Sequence, residues 1–476
     1  MSGEAARLRL LEAAFFERPV KLRLPFRFGV VTLTEAPQVF VRVRIGMEDG
    51  REGEGVAAEL LVPKWFDKSP ALSHEDNFNQ LRAALAVACK HLLSAGVGTA
   101  FELSAAVEAD IHAECAQRNL GGLIASFGLA LLDRAILDAL GRVENRTVFQ
   151  LARDNRFGLT SATAPDLKDV DLGKFLGSLD PAQTIHARHT VGLLDALTKA
   201  ETEGKRIGDG LPESLEEAIA AYGHSYFKLK VNGDLAADVE RLSRIAAVLD
   251  RLPGPYFATL DGNEQYSDID AVAALWRRIG ADPRLARLKS SILLLEQPIA
   301  RIAALDKSVG ASGLDVPIEI DESDADIGAF PRARELGYRG ISSKACKGFY
   351  RALLNRARVA KWNAEEGDGR YFMSAEDLTT QSGVAVQQDL AQALLIGAAH
   401  VERNGHHYVD GMAGAPEAEQ LAFLEAHPDL YSRKSGRVRL AIQNGQLDLA
   451  SLHAVPGLAV GPMPDFKAMT ETDFRG

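Results

Sequence analysis

The sequence predicts an α/β protein: a closed, eight-stranded parallel (β/α) barrel preceded by an α+β domain. Three observations predict it. Beyond about residue 184, short apolar runs alternate with amphipathic stretches until eight strands have been counted, the pattern of strands each followed by a helix. Residues 20–62 read as strands and 76–153 as helices, and a sheet followed by helices marks an α+β unit. No Gly-x-Gly-x-x-Gly follows the first barrel strand, which lowers the option of an open dinucleotide-binding sheet.

The elements follow in order. Phe40–Ile45 alternates, and the turn signal Glu48-Asp49-Gly50 leads into a second run at Glu54–Ala57. Leu81, Ala84, Leu85 and Ala88 form one helical stripe; Leu129, Leu131, Leu132, Ile136 and Leu140 form another. Residues 154–184 carry Ser, Asp, Pro and Gly without a period and read as a linker. The barrel strands are Ala187–Leu193, Tyr226–Val231, Tyr256–Leu260, Ile292–Leu295, Ile318–Ile320, Gly340–Ser343, Tyr371–Ser374 and His400–Glu402. Helices fall at Asp234–Leu249, Ile269–Ile279, Ala325–Leu336, Phe349–Ala364 and Gly383–Ile396. The tail reads as a helix at Pro416–Ala426, then a hairpin of Arg437–Ile442 and Gln446–Ala450 through Asn444-Gly445. The division is 1–153, 154–184, 185–410 and 411–476, the last segment packing back on the N-terminal domain.

Composition narrows the function. Hydrophobic residues are 46% and charged residues 25% of 476, ordinary for a soluble globular protein. A net charge of -11 argues against nucleic acid or an anionic membrane as partner. Cys89, Cys115 and Cys346 show no paired spacing, so neither a disulfide framework nor a zinc framework is expected. The charged N-terminus does not read as a signal peptide, and no apolar run approaches the roughly 18 residues of a membrane helix. A cytoplasmic enzyme acting on a small molecule is the expectation.

Such barrels carry their chemistry at the C-terminal ends of the strands. Strand two ends in Lys228-Leu229-Lys230, with both lysines on one face. Strands three, four and five run into Asp261-Gly262-Asn263, Glu296-Gln297-Pro298 and Asp321-Glu322-Ser323, and strand six into Lys344-Ala345-Cys346-Lys347. Singly, each acid reads as a turn residue or helix cap, and Lys344 as a lysine reaching out to water. Together they crowd three like charges at one rim, which is unfavourable unless a cation sits among them. An all-oxygen set favours a hard ion, Mg²⁺ first and Mn²⁺ second. Near such an ion, and beside one another, the lysines are expected to fall below their usual pKa of about 10.4 and act as bases.

Lys-x-Lys, Asp-x-Asn, Glu-Gln-Pro, Asp-Glu-Ser and Lys-x-x-Lys in this order resemble the enolase superfamily, and most of all its muconate-lactonizing/mandelate racemase group, which has lysines on both flanks. That superfamily uses a Lys or His base with Mg²⁺ to stabilise an enediolate. The resemblance implies that Asp261, Glu296 and Asp321 are metal ligands and that Lys230 and Lys344 are bases on opposite faces of the α-carbon. It makes Lys228 the residue that tunes Lys230 and touches the substrate carboxylate, and Asn263 and Glu322 orienting groups. It makes the N-terminal domain a cap, with loops at Pro25–Gly29 and Ala57–Trp65 closing over the substrate, and it suggests a symmetric homo-oligomer.

The implied reaction is removal of a proton α to a carboxylate, followed by racemisation, epimerisation or cycloisomerisation. The alternative is a dehydratase for sugar acids or hydroxy acids. A Schiff-base aldolase using Lys230 or Lys344, or a non-catalytic barrel, ranks below these. Further candidates are Arg27 for a distal carboxylate, Glu376 beside Asp377 at the end of strand seven, and His406 and His407 for substrate binding or acid catalysis. Cys346 reads as a small residue lining the pocket.

Overall fold

The structure, a computed structural model, describes residues 4–29 and 31–474. The chain opens with an antiparallel meander of Arg7–Phe28, Val31–Met47 and Glu52–Leu60. Arg7-Leu8-Arg9-Leu10 already alternates exposed and buried, so the first strand begins well before residue 20. Three helices follow: His74–Ser94, Ala100–Gln117 and Gly122–Glu144. Ser73 and Thr99 open the first two with capping boxes that satisfy free N–H groups of the first turn. The third helix lies against the third strand at Gly55, where a Cβ would stand 2.2 Å from the Ala139 nitrogen and 2.3 Å from the Ala135 oxygen. Only glycine fits there.

Residues 154–184 do not merely link. They carry a short helix, Leu172–Gly177, and bury Phe157, Leu159, Leu167, Leu172 and Leu176 in the same core as the N-terminal sheet. Those apolar residues are too irregularly spaced to register as a helix or strand, yet they pack.

Eight parallel strands then close a barrel: Thr184–Val191, Tyr226–Lys230, Phe257–Asp261, Ile292–Glu296, Ile318–Ile320, Gly340–Ser343, Phe372–Ala375 and His400–Arg403. Strand eight pairs with strand one over four residues, His400 opposite His186 to Arg403 opposite His189. Asp234 and Asp268 cap the helices after strands two and three. The helix expected at Ala325–Leu336 is shorter, Ala329–Glu335, because Asp326 accepts from the Gly328 N–H and holds the preceding residues in a turn.

The tail corrects the predicted hairpin. Asn444-Gly445 does form a tight turn, closed by mutual Gln443–Gln446 backbone bonds of 3.0 and 2.9 Å. The two arms then part. Arg437–Leu440 pairs with Tyr431–Lys434 instead, while Gln446–Asp448 adds antiparallel to barrel strand one. The tail therefore extends the barrel sheet as well as packing back on the N-terminal domain, where its Thr470–Thr472 pairs with the first strand. Among the described residues no helix is long and apolar enough to cross a membrane.

Candidate active site

Parallel register places Lys230 opposite Asp261, and Asp261 opposite Glu296, at the ends of strands two to four. The Glu-Gln-Pro motif then shapes its neighbour. The Gln297 side-chain oxygen accepts from the Asp321 and Ser323 N–H groups at 2.7 and 3.0 Å, and its nitrogen donates to Ser323 Oγ. Gln297 thus fixes the turn that presents Asp321. Non-glycine residues with positive φ gather here: Asn263 at 41°, Glu264 at 69°, Gln297 at 30° and Thr379 at 53°. Backbone held in such sparsely populated regions persists where surrounding contacts enforce it, commonly at functional sites.

Every acid of the expected triad meets an ammonium. Lys230 Nζ lies 2.5 Å from Asp261 Oδ2, and Lys344 Nζ 2.8 Å from Asp321 Oδ2. Lys347, the second lysine of Lys-x-x-Lys, reaches Asp321 Oδ1 at 2.8 Å. Lys228 is the most heavily paired: its Nζ stands 3.0 Å from Asp261, 2.7 Å from Glu296, 2.6 Å from Glu376 and 3.0 Å from Glu402. Glu376 also binds Arg188, and Glu319 accepts from Ser374, so the charged layer continues down into the barrel. Among the described residues the tightest acidic group in the barrel is Glu296, Glu319 and Glu376, with one oxygen of each within 4.8 Å of the others.

Electrostatics follows from burial and these pairs. Burial alone would lower the Lys228 and Lys344 ammoniums. The carboxylates win: Asp261 and Glu296 lead in raising Lys228, and Asp321 in raising Lys344. The lowered lysine pKa expected from sequence is therefore not what the protein residues alone produce. Burial would likewise raise Asp321, but Lys344 and Lys347 hold it well below its usual range. Burial, with Asp261 and Glu376 nearby, pushes Glu296 well up. Burial and the adjacent Asp321 raise Glu322 to about 7. Neither Glu322 oxygen has a hydrogen-bond partner, and Lys68 stands 3.7 Å away.

A small cavity lies over this cluster. Lys228, Lys230, Asp261, Asn263, Asp321 and Lys344 form part of its lining, and Asp377, Leu378, Thr379, Glu402 and Asn404 come from strands seven and eight. Phe26, Phe28, Val62 and Trp65 of the N-terminal domain cover it, and the Trp65 ring centre is 5.3 Å from Lys344 Nζ. The covering loop is clamped: Arg301 donates to the Trp65 and Phe66 carbonyls at 2.7 and 3.0 Å and pairs with Glu264.

Several expected residues fall elsewhere. Arg27 sits between Phe26 and Phe28 on a strand, so it points away from the cavity they line. Glu376 lies beneath the cavity on Lys228. His406 and His407 are buried on the short helix Gly405–Tyr408, outside the lining, and Cys346 is buried off it too. Glu402 and Asn404 are site residues that the sequence reading does not single out, although Glu402 lies in the last two residues of strand eight much as Glu296 ends strand four. Glu402 accepts from Thr190, Asn404 and Lys228.

No family model and no curated protein matches the chain. Solved structures do. A muconate lactonizing enzyme from Mycobacterium smegmatis, complexed with muconolactone, is 18% identical with a TM-score of 0.61, covering 98% of this chain and 100% of that one. An enolase from Bradyrhizobium, complexed with magnesium and mandelic acid, is 17% identical with a TM-score of 0.59, covering 97% of each chain. This chain has the enolase-superfamily fold. A dipeptide epimerase from Enterococcus faecalis with the same fold, complexed with Mg and L-Leu-L-Tyr, is 13% identical with a TM-score of 0.61, covering 95% of this chain and 100% of that one. The five motifs quoted from the sequence lie at, or just beyond, the C-terminal ends of barrel strands two to six.

Proposed function

We propose that the protein is an enzyme that removes the α-proton of a small carboxylate substrate and goes on to racemise, epimerise or cycloisomerise it. Asp261, Glu296 and Asp321 would hold a divalent cation, Mg²⁺ ahead of Mn²⁺. One observation carries the reading. Lys230 ends strand two and Lys344 directly follows strand six, four strands apart in a barrel of eight, and both line one covered cavity.

The donor set fits a hard ion: it is all oxygen, and buried Glu296 Oε2 and Asn263 Oδ1 have no partner within the protein. When bound, the cation would offset charge developing on the substrate carboxylate and, by its own charge, lower the neighbouring ammoniums. The chain's residues supply the rest. Lys230 Nζ takes the α-proton on one face, and Lys344 Nζ returns one on the other, which inverts the centre. Phe26, Phe28, Val62 and Trp65 exclude water. Lys228, tied to four interior carboxylates, positions the acids rather than moving protons. The apolar cover, with Leu378, favours a substrate bearing an aryl or branched alkyl group over a polyhydroxy acid, which sets the dehydratase reading second. The muconate lactonizing enzyme and dipeptide epimerase of the same fold support the reaction class.

The test is α-proton exchange in deuterated buffer with Mg²⁺ over a panel of α-aryl and α-alkyl carboxylates. Lys230→Ala and Lys344→Ala should each stay folded and lose racemisation, each keeping exchange from one enantiomer at most. Near wild-type racemisation by both variants would falsify the two-base scheme.

A further inference from the structure

We propose a second metal site, a three-imidazole centre for a borderline transition ion such as Zn²⁺, formed by His189, His224 and His406. It lies outside the barrel interior, at the seam where strand eight meets strand one. Thr190 on strand one points inward to Glu402, so the neighbouring His189 points outward. His224 directly precedes strand two, and His406 lies on the helix after strand eight. All three are buried, and one ring nitrogen of each lies within 4.8 Å of the others.

The ring geometry is what a bound ion requires. The ring centres form a near-equilateral triangle with sides of 4.9, 5.1 and 5.1 Å. An ion roughly 2.0–2.1 Å from each nitrogen, and so roughly 3.2 Å from each ring centre, would set tetrahedrally arranged centres about 5.2 Å apart. His189 Nδ1 and His406 Nε2 share a hydrogen bond at 3.0 Å; an ion would replace its proton and needs these nitrogens to part by only a few tenths of an ångström, to the roughly 3.3 Å between two ligands.

Hydrogen bonding points the same way. His224 Nδ1 lies 3.2 Å from the Ala187 carbonyl oxygen. A carbonyl only accepts, so Nδ1 carries the proton and Nε2 presents a bare lone pair. That Nε2 is buried without a partner. A histidine that donates its other N–H to a backbone carbonyl is oriented as metal-binding histidines are. Three imidazoles with no carboxylate in the set favour Zn²⁺, Ni²⁺ or Cu²⁺ over Mg²⁺, so this site and the acidic one select different ions. Its role is to staple strand one, the entry to strand two and the segment after strand eight.

The experiment uses full-length protein without a polyhistidine tag, stripped with a chelator and titrated with Zn²⁺. One equivalent is expected to bind, with a rise in Tm, and zinc X-ray absorption should show an imidazole-rich shell. His224→Gln and His406→Gln, checked for fold by circular dichroism, should weaken Zn²⁺ by at least about 100-fold, beyond the 10–100-fold that loss of an outer partner costs. Asp261→Asn should leave Zn²⁺ binding unchanged. Folded wild-type protein that takes up no zinc, a carboxylate-only shell, or binding that survives both histidine variants or disappears with Asp261→Asn, overturns the site.

Discussion

Arg301→Ala tests whether the cover over the cavity is held by the clamp beneath it. The guanidinium donates to the Trp65 and Phe66 carbonyls at 2.7 and 3.0 Å while paired with Glu264. Hydrogen bonds from a charged group contribute about 1.5–3 kcal/mol each. Allowing for the solvation the freed carbonyls regain, we expect a net loss of about 2–4 kcal/mol in docking of the loop. At 1.4 kcal/mol per factor of ten, that is about 30–700-fold faster local opening. Hydrogen exchange over residues 62–68 reads this without a substrate, and Arg301→Lys should fall between wild type and alanine, because lysine keeps the charge but not the fork. Unchanged protection of this segment in Arg301→Ala, with the protein folded, would show that Trp65 and Phe66 are placed by the N-terminal domain alone.

Three further outcomes are expected. Asp261→Asn should weaken Mg²⁺ by more than about tenfold in calorimetry, since it removes one carboxylate from the expected ligand set; unchanged affinity would remove Asp261 from the ligands. Gly55→Ala should lower stability in denaturant melts by about 3 kcal/mol or more, at the upper end for overpacking, because the atoms in the way are helix backbone. Burial pushes Glu59 up to about 7 despite its pairing with Arg134 at 3.0 Å. The folded state thus keeps a proton that the unfolded chain releases, and this stabilisation is present below about pH 4.5 and lost as pH rises towards 7. A shift of about 2.5 units corresponds to roughly 3 kcal/mol, and Glu59→Gln should remove that slope from stability measured between pH 4.5 and 7.

The barrel was legible because its strands are short apolar runs with a charged residue at the end, and the helices between them carry an apolar stripe. What escaped was structure without a period. Phe157 and Leu159 are buried in irregular backbone, and Leu167 and Leu176 in a 3-10 turn and a six-residue helix too short to show a period, so no spacing rule announces them. The tail failed differently. Asn444-Gly445 marked its turn correctly, but a turn fixes only the residues beside it, and the N-terminal end of strand one, Thr184–His186, which strand two does not reach, offered Gln446–Asp448 a partner. The first strand was a plain miss, since Arg7-Leu8-Arg9-Leu10 alternates in full view.

The site divides along the same line. Acids and lysines at the strand ends are readable one by one, and two lysines on one face of a buried strand need partners to offset their charge. Asp261 answers both, and Lys228 also answers Glu296, Glu376 and Glu402. Glu296 and Glu376 were candidates singly, but their pairing with Lys228, and Glu402 altogether, escaped because Glu376 and Glu402 come from the ends of strands seven and eight, far along the chain, and meet Lys228 only when the barrel closes. Burying unpaired charge costs several kcal/mol per ion, and partners recover it only in good geometry. Lys228 therefore meets that cost with four carboxylates, two of them Asp261 and Glu296, whereas Lys230 is paired with Asp261 and Lys344 with Asp321, and both of these amines line the cavity.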